Sequence, residues 1–167
     1  AQAGEVGGQD GRGDAEGAAH GVNCRSYHCT MPTYEFQVEV ETQYLPAQSA
    51  PQEGMFRFAY TITITNTGTV AAQLVAREWH IHDAHGREQL VRGLGVVGRQ
   101  PLLQPGEAHR YTSGCELTTS TGTMHGSYLC VAEDAEVFHT PIPLFVLDVE
   151  DPDDGMPAAM PATRILH

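Results

Sequence analysis

Three histidines fall within six residues, at His80, His82 and His85. On a β-strand, residues two apart point to the same face, so His80 and His82 would share a face and His85 would follow at the adjacent turn. Imidazole nitrogens grouped in this way could hold Zn²⁺, Co²⁺ or Ni²⁺. The competing interpretation places Trp79 and Ile81 in the core and leaves His80 and His82 as ordinary polar residues. We favour the second, because nine histidines in a lysine-free chain make chance clustering common.

A second candidate is the glycine pattern Gly93, Gly95 and Gly98, which resembles a dinucleotide-binding loop. Such a loop holds pyrophosphate only when a strand enters it and a helix leaves it. Here residues 100–106 contain two prolines and a turn, so no helix can begin after Gly98. The pattern therefore does not predict a Rossmann fold.

Two interpretations of the glycine segment remain. It could cradle phosphate with backbone N–H groups, supported by Arg92, Arg99 and Gln100. Alternatively, it is a long crossover between the two sheets of a sandwich, with Val96 and Val97 packing inward. We favour the structural interpretation and keep the anion site as an alternative.

A third candidate is the sequence Ser113-Gly114-Cys115, which lies close to His109 and His125 along the chain. A reactive thiol requires a base within hydrogen-bonding reach and an oxyanion pocket, and the sequence predicts neither. Gly114 is better interpreted as the site of a β-bulge. We therefore predict that the protein is not an enzyme.

Composition narrows the range of partners. The 167 residues carry a formal charge of −12, and every basic residue is arginine, so binding to a nucleic-acid backbone is not expected. No apolar run is long enough for a membrane span. The N-terminus also lacks the pattern of a secretory signal, which favours a reducing compartment.

The chain divides into a central domain and two tails. Residues 1–30 are rich in glycine, alanine and small polar residues, and they are predicted to be a disordered tail; Met31 is a candidate start. Residues 31–150 form the predicted domain. Residues 151–167 are predicted to be a second, mostly disordered tail.

The central domain is predicted to consist of strands. Apolar and polar residues alternate over 34–44 and 56–65, and further strands are expected near 71–83, 86–92, 108–114, 124–132 and 137–149. Trp79 is placed to be a buried aromatic of a central strand, while Pro141 and Pro143 indicate an edge or a bulge. About seven strands without an amphipathic helix predict an all-β, antiparallel β-sandwich of the immunoglobulin or fibronectin type III kind.

Several ordered motifs make residues 33–150 resemble the ApaG family. The motifs are Tyr44-Leu45-Pro46-x-Gln48-Ser49, Phe58-Ala59-Tyr60-Thr61-Ile62, Arg77-x-Trp79-x-Ile81-x-Asp83-x-x-Gly86, Gly93-x-Gly95-Val96-Val97-Gly98-x-Gln100-Pro101, Pro105-Gly106-Glu107, Tyr111-Thr112-Ser113-Gly114-Cys115-x-Leu117 and Gly122-Thr123-Met124-x-Gly126-x-Tyr128.

The resemblance implies a fibronectin type III-like sandwich in a bacterial cytoplasmic protein that is linked to cobalt resistance and magnesium efflux. It implies no catalytic residues. It also implies that the segment Gly93, Gly95, Gly98 and Gln100 is the part suspected of binding pyrophosphate. We expect a non-enzymatic protein of divalent-cation homeostasis that acts through an unidentified protein partner. No cofactor is expected with certainty; a divalent metal, Co²⁺ or Mg²⁺, is the candidate.

Overall fold

The computed structural model describes residues 30–149. Apart from Thr30, both predicted tails lie outside this range. The described residues form eight strands and no α-helix: β1 (Phe36–Tyr44), β2 (Phe56–Asn66), β3 (Ala72–Asp83), β4 (Glu88–Leu94), β5 (Leu102–Leu103), β6 (Ala108–Leu117), β7 (Thr121–Ala132) and β8 (Val137–Asp148). Two short 3₁₀ turns, Pro46–Gln48 and Pro51–Glu53, connect β1 to β2. Neither turn has the length or the apolar character that crossing a membrane requires.

The strands form two antiparallel sheets, which confirms the predicted sandwich. One sheet has the order β1-β2-β6, and the other has the order β4-β3-β7-β8, with β5 pairing to β3. Tyr60 of the first sheet contacts Trp79 and Phe145 of the second, and the Tyr111 and Tyr128 hydroxyls form a hydrogen bond between the sheets. Trp79 is fully buried in a central strand, as its position in the sequence predicted.

The predicted crossover at the glycine segment is wrong. Both β4 and β5 pair with β3, so the chain stays at the same sheet edge on either side of residues 95–101. It reaches the other sheet only between Leu103 and Ala108. Val96 is buried as expected, but Val97 is 61% exposed, because it occupies the tip of a tight hairpin and does not pack inward.

The β-bulges and edge strands of the structure agree only in part with those predicted from the sequence. Pro141 and Pro143 lie in β8, which is an edge strand and is paired to β7 across a bulge near Gly126, as predicted. The bulge predicted at Gly114 is wrong, because β2 and β6 keep a continuous register there. A second bulge instead interrupts β3 at Val75.

Candidate functional site

Residues 95–99 form a hairpin that the glycines make possible. The Val96 and Arg99 backbones exchange hydrogen bonds of 2.7 and 3.0 Å. The two residues between them, Val97 and Gly98, have φ angles of 47° and 74°. Positive φ at both central positions is the requirement of a type I′ turn, and glycine meets it without steric cost. Gly98 therefore has a structural role that is independent of any ligand.

Gly95 and Gly93 allow close approach of neighbouring groups. A Cβ atom on Gly95 would lie 2.3 Å from the Arg99 carbonyl oxygen, and one on Gly93 would lie 2.9 Å from a terminal nitrogen of Arg77. The Arg77 guanidinium donates hydrogen bonds to the carbonyl oxygens of Leu94 (3.0 Å) and Gly95 (2.7 Å). The glycine pattern thus accommodates an arginine that holds the end of β4.

The β3 bulge holds the other end of the hairpin. The Val75 carbonyl oxygen accepts hydrogen bonds from the Gly95 backbone (2.8 Å) and from the Gln100 amide (2.9 Å). Gln73 in turn donates to the Gln100 carbonyl (3.0 Å). Gln100, a predicted ligand-loop residue, therefore connects the hairpin to β3.

A cleft separates the hairpin from β6. It has a volume of about 250 Å³ and is lined by Val96, Val97, Arg99 and the β6 residues 109–112. Burial lowers the pKa of His109, and the nearby Arg99 charge adds to the effect. No hydrogen bond among residues 30–149 uses the Val97 or Gly98 backbone N–H. The predicted anion-binding segment thus retains two free amides and one exposed arginine beside a cleft.

On the outer face of the five-stranded sheet, His80 lies between two carboxylates. Its Nδ1 is 2.6 Å from Glu88, and its Nε2 is 2.9 Å from Glu78. Carboxylates only accept hydrogen bonds, so this geometry favours the imidazolium, in which both ring nitrogens donate. The hydrogen bond to Glu88, followed by that to Glu78, raises the pKa of His80.

The same hydrogen bonds lower the pKa values of the two carboxylates. The pKa of Glu78 is lowered by its hydrogen bond with Arg92 and then by that with His80. The His80 hydrogen bond likewise lowers the pKa of Glu88. Sequence reasoning missed both acids as partners of the histidines. Alternation along β3 could have placed Glu78 on the same face as His80.

His125 of β7 completes this histidine face, which comprises His80, His82 and His125. The His125 ring stacks on His80, with ring centroids 4.8 Å apart, and on His82, at 5.6 Å. Burial lowers the pKa of His125, and the adjacent His80 and His82 add to this shift. His125 is therefore suited to stay neutral beside a charged His80. The sequence could not identify it, because it reaches the face through strand pairing across the sheet.

Of the predicted metal ligands, His80 and His82 share the outer face, and the described residues do not group His85 with them. Both nitrogens of His80 are engaged by carboxylates, and His82 lies 3.5 Å from Glu88. His85 is exposed at the β3–β4 turn, where its backbone N–H donates to Asp83. Within residues 30–149, no three His, Cys, Asp or Glu side chains form an arrangement that could hold a metal ion.

Cys115 lacks the surroundings of a nucleophile. Burial, with a smaller contribution from Glu116, raises its pKa to about 11. Its sulfur contacts the Glu116 carbonyl at 3.9 Å, and no hydrogen bond in the described part of the chain joins it to His109 or His125. The thiolate needed for attack is therefore scarce at neutral pH.

Apolar side chains cover part of the outer face beside the histidines. Two adjacent rows cross the sheet, one ending at His139 and the other containing Gln73, and Leu94 is 75% exposed at the β4 end of the first. A groove of about 420 Å³ runs along this row, and Glu78, Arg92 and His139 also line it. We refer to this surface as the apolar patch; it consists of Ala76, Leu94, Leu102, Leu129, Val131 and Val137.

The comparisons with known proteins agree with this architecture. A family model for the ApaG domain matches residues 46–132. Protein ApaG of Acidovorax sp. (strain JS42) is 62% identical over 139 residues, covering 82% of this chain and all of that protein. Protein ApaG of Ralstonia nicotianae is 56% identical over 117 residues, or 70% of this chain and 94% of the relative.

A solved structure leads to the same family. The crystal structure of a Bordetella pertussis protein designated ApaA superposes with a TM-score of 0.68 at 52% identity, covering 69% of this chain and 94% of that one. The family-model match, together with the identity and coverage of these relatives, shows that the chain belongs to the ApaG family.

Proposed function

We propose that this chain is a non-catalytic, cytoplasmic protein of divalent-cation (Co²⁺ and Mg²⁺) homeostasis that acts by binding a protein partner. Membership of the ApaG family supports the role in cation handling, since the resemblance links the family to cobalt resistance and magnesium efflux. The raised pKa of Cys115 supports the absence of thiol catalysis. Direct metal binding at His80, His82 and His85 stays a separate prediction.

The observation that carries the proposal is the apolar patch. Leu94, Leu102 and Val137 are large apolar side chains that water reaches on one face of the sheet. Contiguous exposed apolar surface next to polar residues is typical of a protein–protein interaction site. The three-stranded sheet, by contrast, presents Glu39 and Glu41 on its outer side.

The experiment is a gene deletion complemented by the full chain. Cobalt tolerance and magnesium flux should change in the deletion strain and be restored by the wild-type gene. Restoration should fail with Leu94→Glu, which introduces a charge into the patch, and should succeed with Gln37→Glu on the other sheet. Unaltered cobalt tolerance and magnesium flux in the deletion strain would contradict the cation role.

Protein binding without a metal role is the nearest alternative. Affinity purification with and without divalent ions separates the two. A partner that is recovered equally after chelation, combined with a normal cation phenotype, favours an interaction module. A partner that is lost on chelation favours the cation role.

Binding of a nucleotide or pyrophosphate at residues 93–100 is a second candidate function. The cleft beside Arg99, together with the free Val97 and Gly98 amides, favours it. Calorimetry with ATP and a diadenosine polyphosphate tests the idea. Heat that disappears in Arg99→Gln would support an anion site, and the absence of heat at millimolar ligand would exclude it.

A further inference from the structure

We infer that β4 binds an extended segment of its protein partner as an added β-strand, with an acidic side chain between two apolar ones. This inference rests on the proposed function and specifies where and how the partner binds. It combines three observations: free backbone groups on β4, the side chains that alternate along it, and the guanidinium NH₂ groups that Arg92 leaves open.

The backbone of β4 has an unpaired side. The Asp83 N–H donates to the Arg87 carbonyl at 3.0 Å, and the Gly95 N–H donates to the Val75 carbonyl at 2.8 Å. Antiparallel strands alternate between bonded and non-bonded pairs, so the odd-numbered residues of β4 bond to β3. The N–H and C=O groups of residues 88, 90 and 92 therefore point away from the sheet, on a side where β4 has no neighbouring strand among residues 30–149.

The opposite edge of this sheet is protected and β4 is not. β8 contains Pro141 and Pro143, and its Phe138 packs against Phe36 beside β1. Prolines and packed neighbours are common ways of preventing an edge from pairing. The seven residues of β4 include no proline and no bulge.

The outward side chains define what an added strand must carry. Leu90, Arg92 and Leu94 alternate on the outer face and are 46%, 69% and 75% exposed. The Arg92 Nε donates to Glu78 at 2.6 Å, which leaves both terminal NH₂ groups for another acceptor. Side chains directly opposite one another on paired strands interact, so the partner should present apolar, acidic and apolar residues at alternate positions.

Charge selects an acidic peptide over a second copy of this chain. Of the arginines near β4, Arg87 pairs with Asp83 at 3.2 Å and Arg92 pairs with Glu78 at 2.6 Å, whereas Arg99 forms no ion pair among residues 30–149. The free Arg92 NH₂ groups and Arg99 attract an acidic strand, whereas two copies of a chain with a formal charge of −12 repel one another.

The probe is a capped nine-residue peptide in which leucine, glutamate and leucine stand at alternate positions and threonine fills the rest. It is titrated into the ¹⁵N-labelled full chain. Amide shifts should concentrate at Glu88, Leu90 and Arg92, and hydrogen exchange at the Leu90 and Arg92 amides should slow. Replacing the peptide glutamate with lysine should weaken binding at least about fivefold, the equivalent of one charge-assisted contact.

Two controls distinguish strand addition from non-specific hydrophobic binding of the peptide. N-methylation of the peptide amides that face β4 should abolish binding. In the protein, Leu90→Pro removes an outward N–H without breaking the β3 ladder and should abolish binding, whereas Leu90→Thr keeps that N–H and should only weaken it.

Four results would overturn the inference: no shifts at millimolar peptide, shifts centred elsewhere, undiminished binding of the N-methylated peptide, or self-association through β4 without peptide. Complementation separates this inference from the proposed function. If Leu90→Pro restores cation handling fully, the inference fails and the proposed function survives. If deletion leaves cation handling normal, the proposed function fails, and the titration still decides whether β4 adds a strand.

Discussion

The Arg77 guanidinium donates a 2.7 Å hydrogen bond to the backbone carbonyl of Gly95, at the point where β4 ends and the glycine hairpin begins. A second bond from the same group reaches the Leu94 carbonyl. One arginine of β3 thereby donates to two carbonyl groups at the end of β4. A Cβ atom on Gly93 would lie 2.9 Å from a terminal nitrogen of Arg77, so a side chain there would displace the guanidinium.

Replacing this arginine should destabilise the domain. In Arg77→Met, both carbonyl groups lose a charged donor, and we expect a loss of about 2 kcal/mol in the free energy of unfolding, measured with urea. Arg87→Met is the matched control, because the Arg87 guanidinium is largely exposed to water. The urea midpoint of this variant should stay close to that of the wild type. Equal effects of the two substitutions would mean that Arg77 does not support the hairpin.

Two glycines of the hairpin should differ in their tolerance of alanine. Gly98 has a positive φ but open space around it, so Gly98→Ala should cost about 1 kcal/mol. Gly95→Ala adds a contact of 2.3 Å with backbone and should cost at least about 1 kcal/mol more. Chemical denaturation of both variants measures the difference. A ligand-binding role without this structural requirement would instead leave the stability of Gly95→Ala close to that of Gly98→Ala.

The histidine face should titrate in two directions. NMR should place the pKa of His80 above the ordinary histidine value and that of His125 below it. His80 therefore contributes stability that is present below about pH 6.5 and lost as pH rises through its folded-state pKa. His125 acts in the opposite sense, since its lowered pKa removes stability as pH falls below about 6.5.

Glu78 and Glu88 determine how the stability contributed by this face changes at acidic pH. Their lowered pKa values contribute stability that is present above about pH 4.3 and lost as pH falls through the folded-state values. In His80→Gln, the pKa of His125 should rise, because a neighbouring positive charge is removed. An unchanged His125 titration in that variant would show that the stacked rings are not electrostatically coupled.

Cys115 should react slowly with alkylating reagents. A pKa of about 11, against about 8.5 for a free thiol, lowers the thiolate fraction at neutral pH by about two orders of magnitude. Iodoacetamide labelling of a Cys24→Ser/Cys29→Ser variant, followed by peptide mass spectrometry, checks this value. Labelling of Cys115 as fast as that of free cysteine would contradict the raised pKa and support a role for Cys115 as a nucleophile.

The sequence predicts the strands well, because alternation in β1 and β2 is determined by burial on one face. It also places Trp79 in the core and the prolines of β8 at an edge. It fails at Val97, whose apolar side chain suggested burial although a type I′ turn exposes it. It also fails at the Val75 bulge, which has no glycine or proline to mark it.

The candidate site depends on pairings between distant parts of the chain. His80 and His125 are 45 positions apart, and only the β3–β7 register brings their rings together. Likewise, β4 and β5 form one interrupted edge because each pairs with β3. Local periodicity can place a side chain on a face, but the strand across from it is determined by topology.

The central claim is that a protein partner binds at the β4 edge. A photo-crosslinking amino acid at position 94 in cells tests it most directly, with position 37 on the other sheet as the control. We predict one discrete adduct from position 94, none from position 37, and loss of the adduct when Leu90→Pro is added. Adducts of equal yield from both positions, or an adduct that survives Leu90→Pro, would contradict the account.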